Sequence, residues 1–212
     1  MGLAAVQDCV ARLYTHPGFR AEFFARSIGA DDLEGSEAQL VTGLSPAQVR
    51  FFARSLVRKR LNEVSDLIPE TREALGSGFA PLFFTFAEDS LPAGVDKHRK
   101  DALAFCSYLQ RLASRGCLQP GWAADVVRHD AARLRASMPG IRLTAGSFRR
   151  VAPTHGRADE ADSLPQGTPT YRTVEVWWRL RRSSPIRHFV WSVPALPGLR
   201  NVHQSLRAIR QL

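Results

Sequence analysis

At 212 residues the chain is long enough for one large domain or two small ones, each with its own core, and 44% hydrophobic against 23% charged residues is the balance of a globular protein, not of a disordered one. Its formal net charge of +9 is unevenly spread: residues 1–139 carry 17 basic against 16 acidic side chains, whereas residues 140–212 carry 12 arginines, no lysine and four acids. An excess confined to the last third points to an anionic partner there, and a nucleic acid, an acidic peptide and an acidic protein meet that requirement equally.

The first elements are helical. Leu3, Val6, Val10 and Leu13 recur at three- and four-residue spacing up to His16-Pro17, and Phe19, Phe23 and Phe24 resume the pattern towards Gly29. Ala30–Gly43 reads as an acidic, polar loop. Ser45, Pro46 and Gln48 then form a predicted capping box, followed by Val49, Phe52, Ala53, Leu56, Val57, Leu61, Val64 and Ile68 as the buried stripe of a long helix. Arg50, Arg54 and Arg58 stand four apart on it, with Lys59 and Arg60 beside them, a ladder that is either a solvated face or a docking face. Pro69–Gly76 predicts a short helix, Phe79–Phe86 another, Val95–Gly116 a long one, and Gly121–Met138 the last, with Trp122, Val126, Val127, Ala131 and Leu134 inward.

Pro139-Gly140 ends the helical pattern. Ile141, Leu143 and Ala145 alternate with polar residues as in a strand, and 153–169 is a long polar segment. Tyr171–Arg181 is the clearest predicted strand. Val174, Val176, Trp178 and Leu180 point one way, and Thr173, Glu175, Trp177 and Arg179 the other. Arg182–Pro185 makes a turn, and Ile186–Val193 returns with Phe189, Trp191 and Val193 on one face. Val202, Leu206 and Ile209 predict a basic C-terminal helix. The predicted class is therefore α+β: an all-α bundle over 1–138, then a small antiparallel-sheet module over 139–212 with a helix on one face.

Little in the chain carries catalytic chemistry. Cys9, Cys106 and Cys117 form no CxxC, which argues against a disulfide framework or a zinc knuckle, and Cys106 between Phe105 and Tyr108 reads as core packing. No HExxH, GxSxG, P-loop or GxGxxG is present. His98 falls on the apolar face of its helix and is expected as a hydrogen-bonded core histidine. Asp125 and His129 stand one turn apart, a spacing that suits a metal but, without a second pair, predicts a surface contact. No signal peptide, myristoylation site or membrane span is expected, and the reducing cytoplasm is the expected compartment.

Binding chemistry is better supported. An exposed sheet edge accepts an added peptide strand, its backbone giving affinity and its side-chain pockets specificity. Strand addition is expected next to Tyr171–Arg181, with Thr173, Glu175, Trp177, Arg179, Arg181, Arg182 and Arg187 as the candidate contacts for an acidic, amphipathic peptide. In the alternative, Trp177 is covered and belongs to the core.

The segments VARLYTHPGFRAEFF, FARSLVRKRLNEVSDLIPETREALG, FAPLFFTFAE, DALAFCSYL and WAADVVRHDAARLRA, in that order before the switch to strands, resemble the partner proteins of multinuclear non-heme iron oxidases in ribosomal peptide natural-product pathways, as in methanobactin biosynthesis. The resemblance implies a helical domain followed by a sheet module that binds the leader of a precursor peptide and docks it to the oxidase. It also implies that the iron and the oxidative chemistry belong to that partner enzyme, so that this chain carries no cofactor or metal of its own and is not an enzyme. On this reading Arg50, Arg54 and Arg58 form the face that meets the oxidase. The rival expectation is a DNA- or RNA-binding regulator acting through the basic last third.

Overall fold

A computed structural model describes residues 3–26, 41–151, 170–179 and 184–194. They form two compact units, Met1–Leu134 and Arg135–Leu212.

The first unit is helical. Its elements are α1 (Leu3–Thr15), α2 (Pro17–Arg26), α3 (Pro46–Leu67), α4 (Pro69–Leu75), α5 (Phe79–Asp89), α6 (Lys97–Ser114) and most of α7 (Ala123–Ser137). Proline punctuates it: Pro17, Pro46 and Pro69 each open a helix, where a missing N–H costs nothing. Ile68, pushed by Pro69 to φ −129°, ψ 60°, separates α3 from α4. The capping box at the start of α3 is not made. Ser45 has the extended backbone of an N-cap, but its hydroxyl makes no cap hydrogen bond, and Pro46 alone sets the entry. Gly116, at φ 72°, ends α6 in a conformation that a side chain would strain.

Two clusters hold this unit together. Cys9, Leu13, Phe23, Val41 and Val49 join α1 and α2 to the start of α3. The larger one runs from Val64 and Ile68 through Phe79, Phe83 and Phe86 to Phe105, Leu109, Val127 and Leu134. Phe105 is its centre, edge-on to Phe79 and Phe83 with centroids 5.4 and 5.2 Å away. Cys106 is fully buried beside it, as core packing requires, whereas Val95 lies off the stripe and fully exposed. No described helix is long and apolar enough to cross a membrane.

In the second unit, β1 (Leu143–Val151), β2 (Thr170–Trp178) and β3 (Arg187–Pro194) form an antiparallel sheet in the order β1-β2-β3. The predicted hairpin is present as β2–β3, with Trp178 opposite Arg187 and Val174 opposite Trp191. On its other side β2 pairs with β1, Leu143 opposite Trp178 and Phe148 opposite Thr173. The protein is thus α+β, as the alternation of patterns predicts. The predicted C-terminal helix at 202–209 lies outside the described residues.

Candidate functional site

The order of strands corrects the expected place of strand addition. β2 is the central strand, hydrogen-bonded on both sides, so nothing can be added next to it. Among the described residues, the open edges belong to β1 and β3.

The pleat separates two faces. Thr173, Glu175 and Trp177, expected to point outward to a peptide, are 2%, 2% and 5% exposed. Of the two expectations for Trp177, the structure has the covered one; alternation alone does not say which face is covered, because both faces of β2 carry large side chains. Trp177 is stacked on His188 of β3 and lies edge-on to Phe148 of β1, at centroid distances of 4.8 and 6.2 Å. His188 Nε2 lies 2.8 Å from Glu175 Oε2, giving the buried carboxylate a polar partner. Phe148 reaches Trp177 by lying back over Gly146, where a Cβ would stand 2.2 Å from the ring.

The other face is apolar and open. Val174, Val176 and Trp178 are half-buried in the middle, while Leu143, Phe189 and Trp191 are 65%, 56% and 66% exposed. Phe189 and Trp191 share one face, as the alternation predicts. Their exposure on edge strand β3 is the feature that alternation alone could not reveal, since period two does not say which face is covered.

The arginines divide. Arg179 is half-buried and held: its backbone N–H donates to the Arg142 carbonyl at 2.9 Å, and its guanidinium donates to the Ala136 carbonyl at 2.7 Å, satisfying an otherwise open acceptor at the end of α7. Arg187 is exposed at the start of β3. Arg181 and Arg182 lie outside the described residues. Arg50, Arg54 and Arg58 are all exposed on α3, and Phe51, one turn from Arg54, is 75% exposed beside them.

Arg60, grouped with that ladder in the sequence, has a separate role. Its Nε and Nη2 each donate to one oxygen of Asp101 at 3.0 Å, and Nη2 also donates to the Ser90 carbonyl at 2.8 Å. Asp101 is 1% exposed, so this bidentate pair ties α3 to α6 inside the helical unit.

The expected surface contact between Asp125 and His129 is replaced by two others. Asp125 pairs with Arg128, while His129 is buried with Nδ1 3.1 Å from Glu70 Oε2. One ligand atom each from Glu70, His129 and Asp130 would fall within 4.8 Å of one another, a spacing that suits a cation. Asp130, however, is already committed. One oxygen accepts from the Thr71 N–H and hydroxyl at 2.8 and 2.9 Å, and the other from Arg133 at 2.9 Å. A guanidinium against the carboxylate opposes a cation, so the cluster serves as a polar tie between α4 and α7.

Residues 37–111 match the family model described as the SCO6045-like, C-terminal domain. This is a family of uncharacterised proteins. The match runs from the residues before α3 into α6 and includes Arg50, Arg54, Arg58 and the Arg60–Asp101 pair, but not the sheet. No curated protein and no solved structure matches the chain.

Proposed function

We infer that the protein is a non-catalytic partner subunit that binds the leader of a precursor peptide and brings it to a multinuclear non-heme iron oxidase. The peptide joins the sheet as a fourth strand against β3. The observation that carries this reading is the edge of β3, open among the described residues, with Phe189, Val190 and Trp191 exposed on it, 56%, 49% and 66%. An apolar edge strand left open invites another strand, and natural sheets otherwise blunt such edges with charge, proline or bulges. The arginine excess after residue 139, including Arg187 at the start of β3, favours an acidic peptide over a neutral one. The oxidase contact is assigned to α3, where Phe51, Arg54 and Arg58 share an exposed face. Iron and oxidation belong to the partner, and the cytoplasm is the expected compartment.

The test uses the short precursor reading frame and the oxidase gene expected beside this gene. The full-length chain should bind the leader peptide in a fluorescence-polarisation titration. Trp191→Ala and Val190→Pro should each weaken binding at least tenfold, the first by removing an aromatic anchor and the second by blocking the edge. Phe51→Ala with Arg58→Glu should abolish co-purification of the oxidase while leaving peptide affinity unchanged. Failure to bind the peptide, together with duplex-DNA binding that falls steeply with salt, would replace this reading with the nucleic-acid regulator.

A further inference from the structure

The helical unit contains a cavity of about 300 Å³ formed by α1, α2, α3 and α5. Its walls differ in chemistry. Arg20, Arg54 and Arg60 supply guanidinium groups, Phe84 and Leu91 are partly exposed apolar surface, and Glu88 is the one acidic residue that lines it.

The charges do not cancel. Arg60 is neutralised by Asp101, which receives two of its hydrogen bonds. Glu88 brings one negative charge to the lining but makes no ion pair with Arg20 or Arg54 among the described residues. Arg20 spends one guanidinium nitrogen on the Leu13 carbonyl at 3.0 Å, and Arg54 has no ion-pair partner among the described residues. One positive charge is therefore left facing an apolar wall. Arg50 and Arg54 also crowd Arg20, and burial together with those two like charges lowers the Arg20 pKa from the ordinary arginine value. Arg20 and Arg54, two guanidinium groups with a single acid in the lining, are more stable with an anion between them.

We propose that this cavity is a binding site for a small monocarboxylate carried on an apolar acyl or aryl body, with Arg54 and Arg20 holding the carboxylate and Phe84 and Leu91 covering the body. The ligand class follows from the volume and the charge. The space lies at the lower end of small-molecule pockets, roughly 300–1,000 Å³, and one uncompensated charge suits a monoanion better than a polyphosphate. The lining contains no residue of the sheet edge assigned to the peptide, and it shares Arg54 with the face assigned to the oxidase.

The experiment uses the full-length protein and two soluble probes of one shape, 4-phenylbutyrate and 4-phenyl-1-butanol, in isothermal titration and in thermal melts, with sulfate as a third ligand. The carboxylate should bind saturably at least tenfold more tightly than the alcohol and raise Tm. Arg54→Gln should reduce its affinity to that of the alcohol without changing the alcohol's, and Phe84→Ser should weaken both. Arg72→Gln, exposed on α4 away from the cavity, should change neither. Arg54 is chosen over Arg20 because it holds no backbone carbonyl, so its loss should leave the fold intact, as an unchanged Tm without ligand would verify. Equal affinity for acid and alcohol would overturn the proposal. So would competition by sulfate as strong as that of the carboxylate, an Arg54→Gln variant that binds as the parent does, or no saturable binding at millimolar probe.

Discussion

Trp177 lies flat on His188 across the β2–β3 register, the two rings 2° from parallel with centroids 4.8 Å apart. That stack decides which tryptophan of the sheet is structural and which is available. Trp177 is 5% exposed and Trp191, on the opposite face, 66%. Trp177→Ala should destabilise the sheet unit by about 3–5 kcal/mol, the usual cost of emptying a buried aromatic site. Trp191→Ala should change stability by less than about 0.5 kcal/mol, as exposed substitutions do. Urea titrations followed by circular dichroism measure both. Equal costs would mean that the two faces are covered alike, and the open face would lose its meaning as a binding surface.

Gly146 provides a finer test of the same packing. A methyl group there would stand 2.2 Å from the Phe148 ring, which lies back over the glycine towards Trp177. Gly146→Ala should therefore cost about 1–3 kcal/mol through overpacking, against the small gain in β propensity that alanine otherwise brings. Adding Phe148→Leu should recover part of the loss, because the shorter side chain vacates the contact. A double-mutant cycle with no coupling between the two positions would show that the ring does not rest there.

The Arg60–Asp101 pair makes a prediction about the helical unit. Asp101 is 1% exposed and accepts two guanidinium hydrogen bonds, so Asp101→Ala leaves Arg60 part-buried without its counter-charge. The expected loss is about 3–5 kcal/mol. Replacing both, Arg60→Met with Asp101→Leu, should restore most of it, since apolar residues of similar volume are often as stable as a buried ion pair. Thermal unfolding of the two variants checks this. A double variant no better than Asp101→Ala would make the pair a net contributor and not merely a well-matched one.

The helices were legible because their signals are local. Proline at 17, 46 and 69 and the three- and four-residue apolar spacing mark each helix from its own residues. Period-two alternation likewise marked the strands. What it could not supply was the neighbour. Thr173, Glu175 and Trp177 look like a polar, accessible row in the sequence, yet they are buried because Phe148 and His188 close over them from adjacent strands. The centrality of β2 is hidden for the same reason, since β1 and β2 are separated by the long polar segment and their pairing is non-local. Arg60 shows the limit on helices: proximity in sequence groups it by charge with the ladder of Arg50, Arg54 and Arg58, and only a partner 41 positions away separates it.

The three cysteines should report the helical unit by their reactivity. Cys9 and Cys106 are buried and Cys117 is exposed. For Cys9, burial raises the thiol pKa above its ordinary value, with Arg12 pulling the other way and Asp8 adding to the rise. Thiolate is the reactive form, so burial both shields Cys9 and keeps it protonated. In the native protein at pH 8, a disulfide-exchange reagent should titrate one thiol rapidly and two slowly, and all three rapidly in guanidinium. The Cys117→Ser variant should lose the fast phase alone. The raised pKa also has a sign for stability. Above the ordinary thiol pKa, the unfolded chain releases the Cys9 proton that the folded chain still holds, so this contribution is complete below that value and falls as pH rises through the higher, folded one. Cys9→Ala should flatten the decline in Tm through that alkaline window. If the parent and the variant lose stability in parallel there, the buried thiol is not its source.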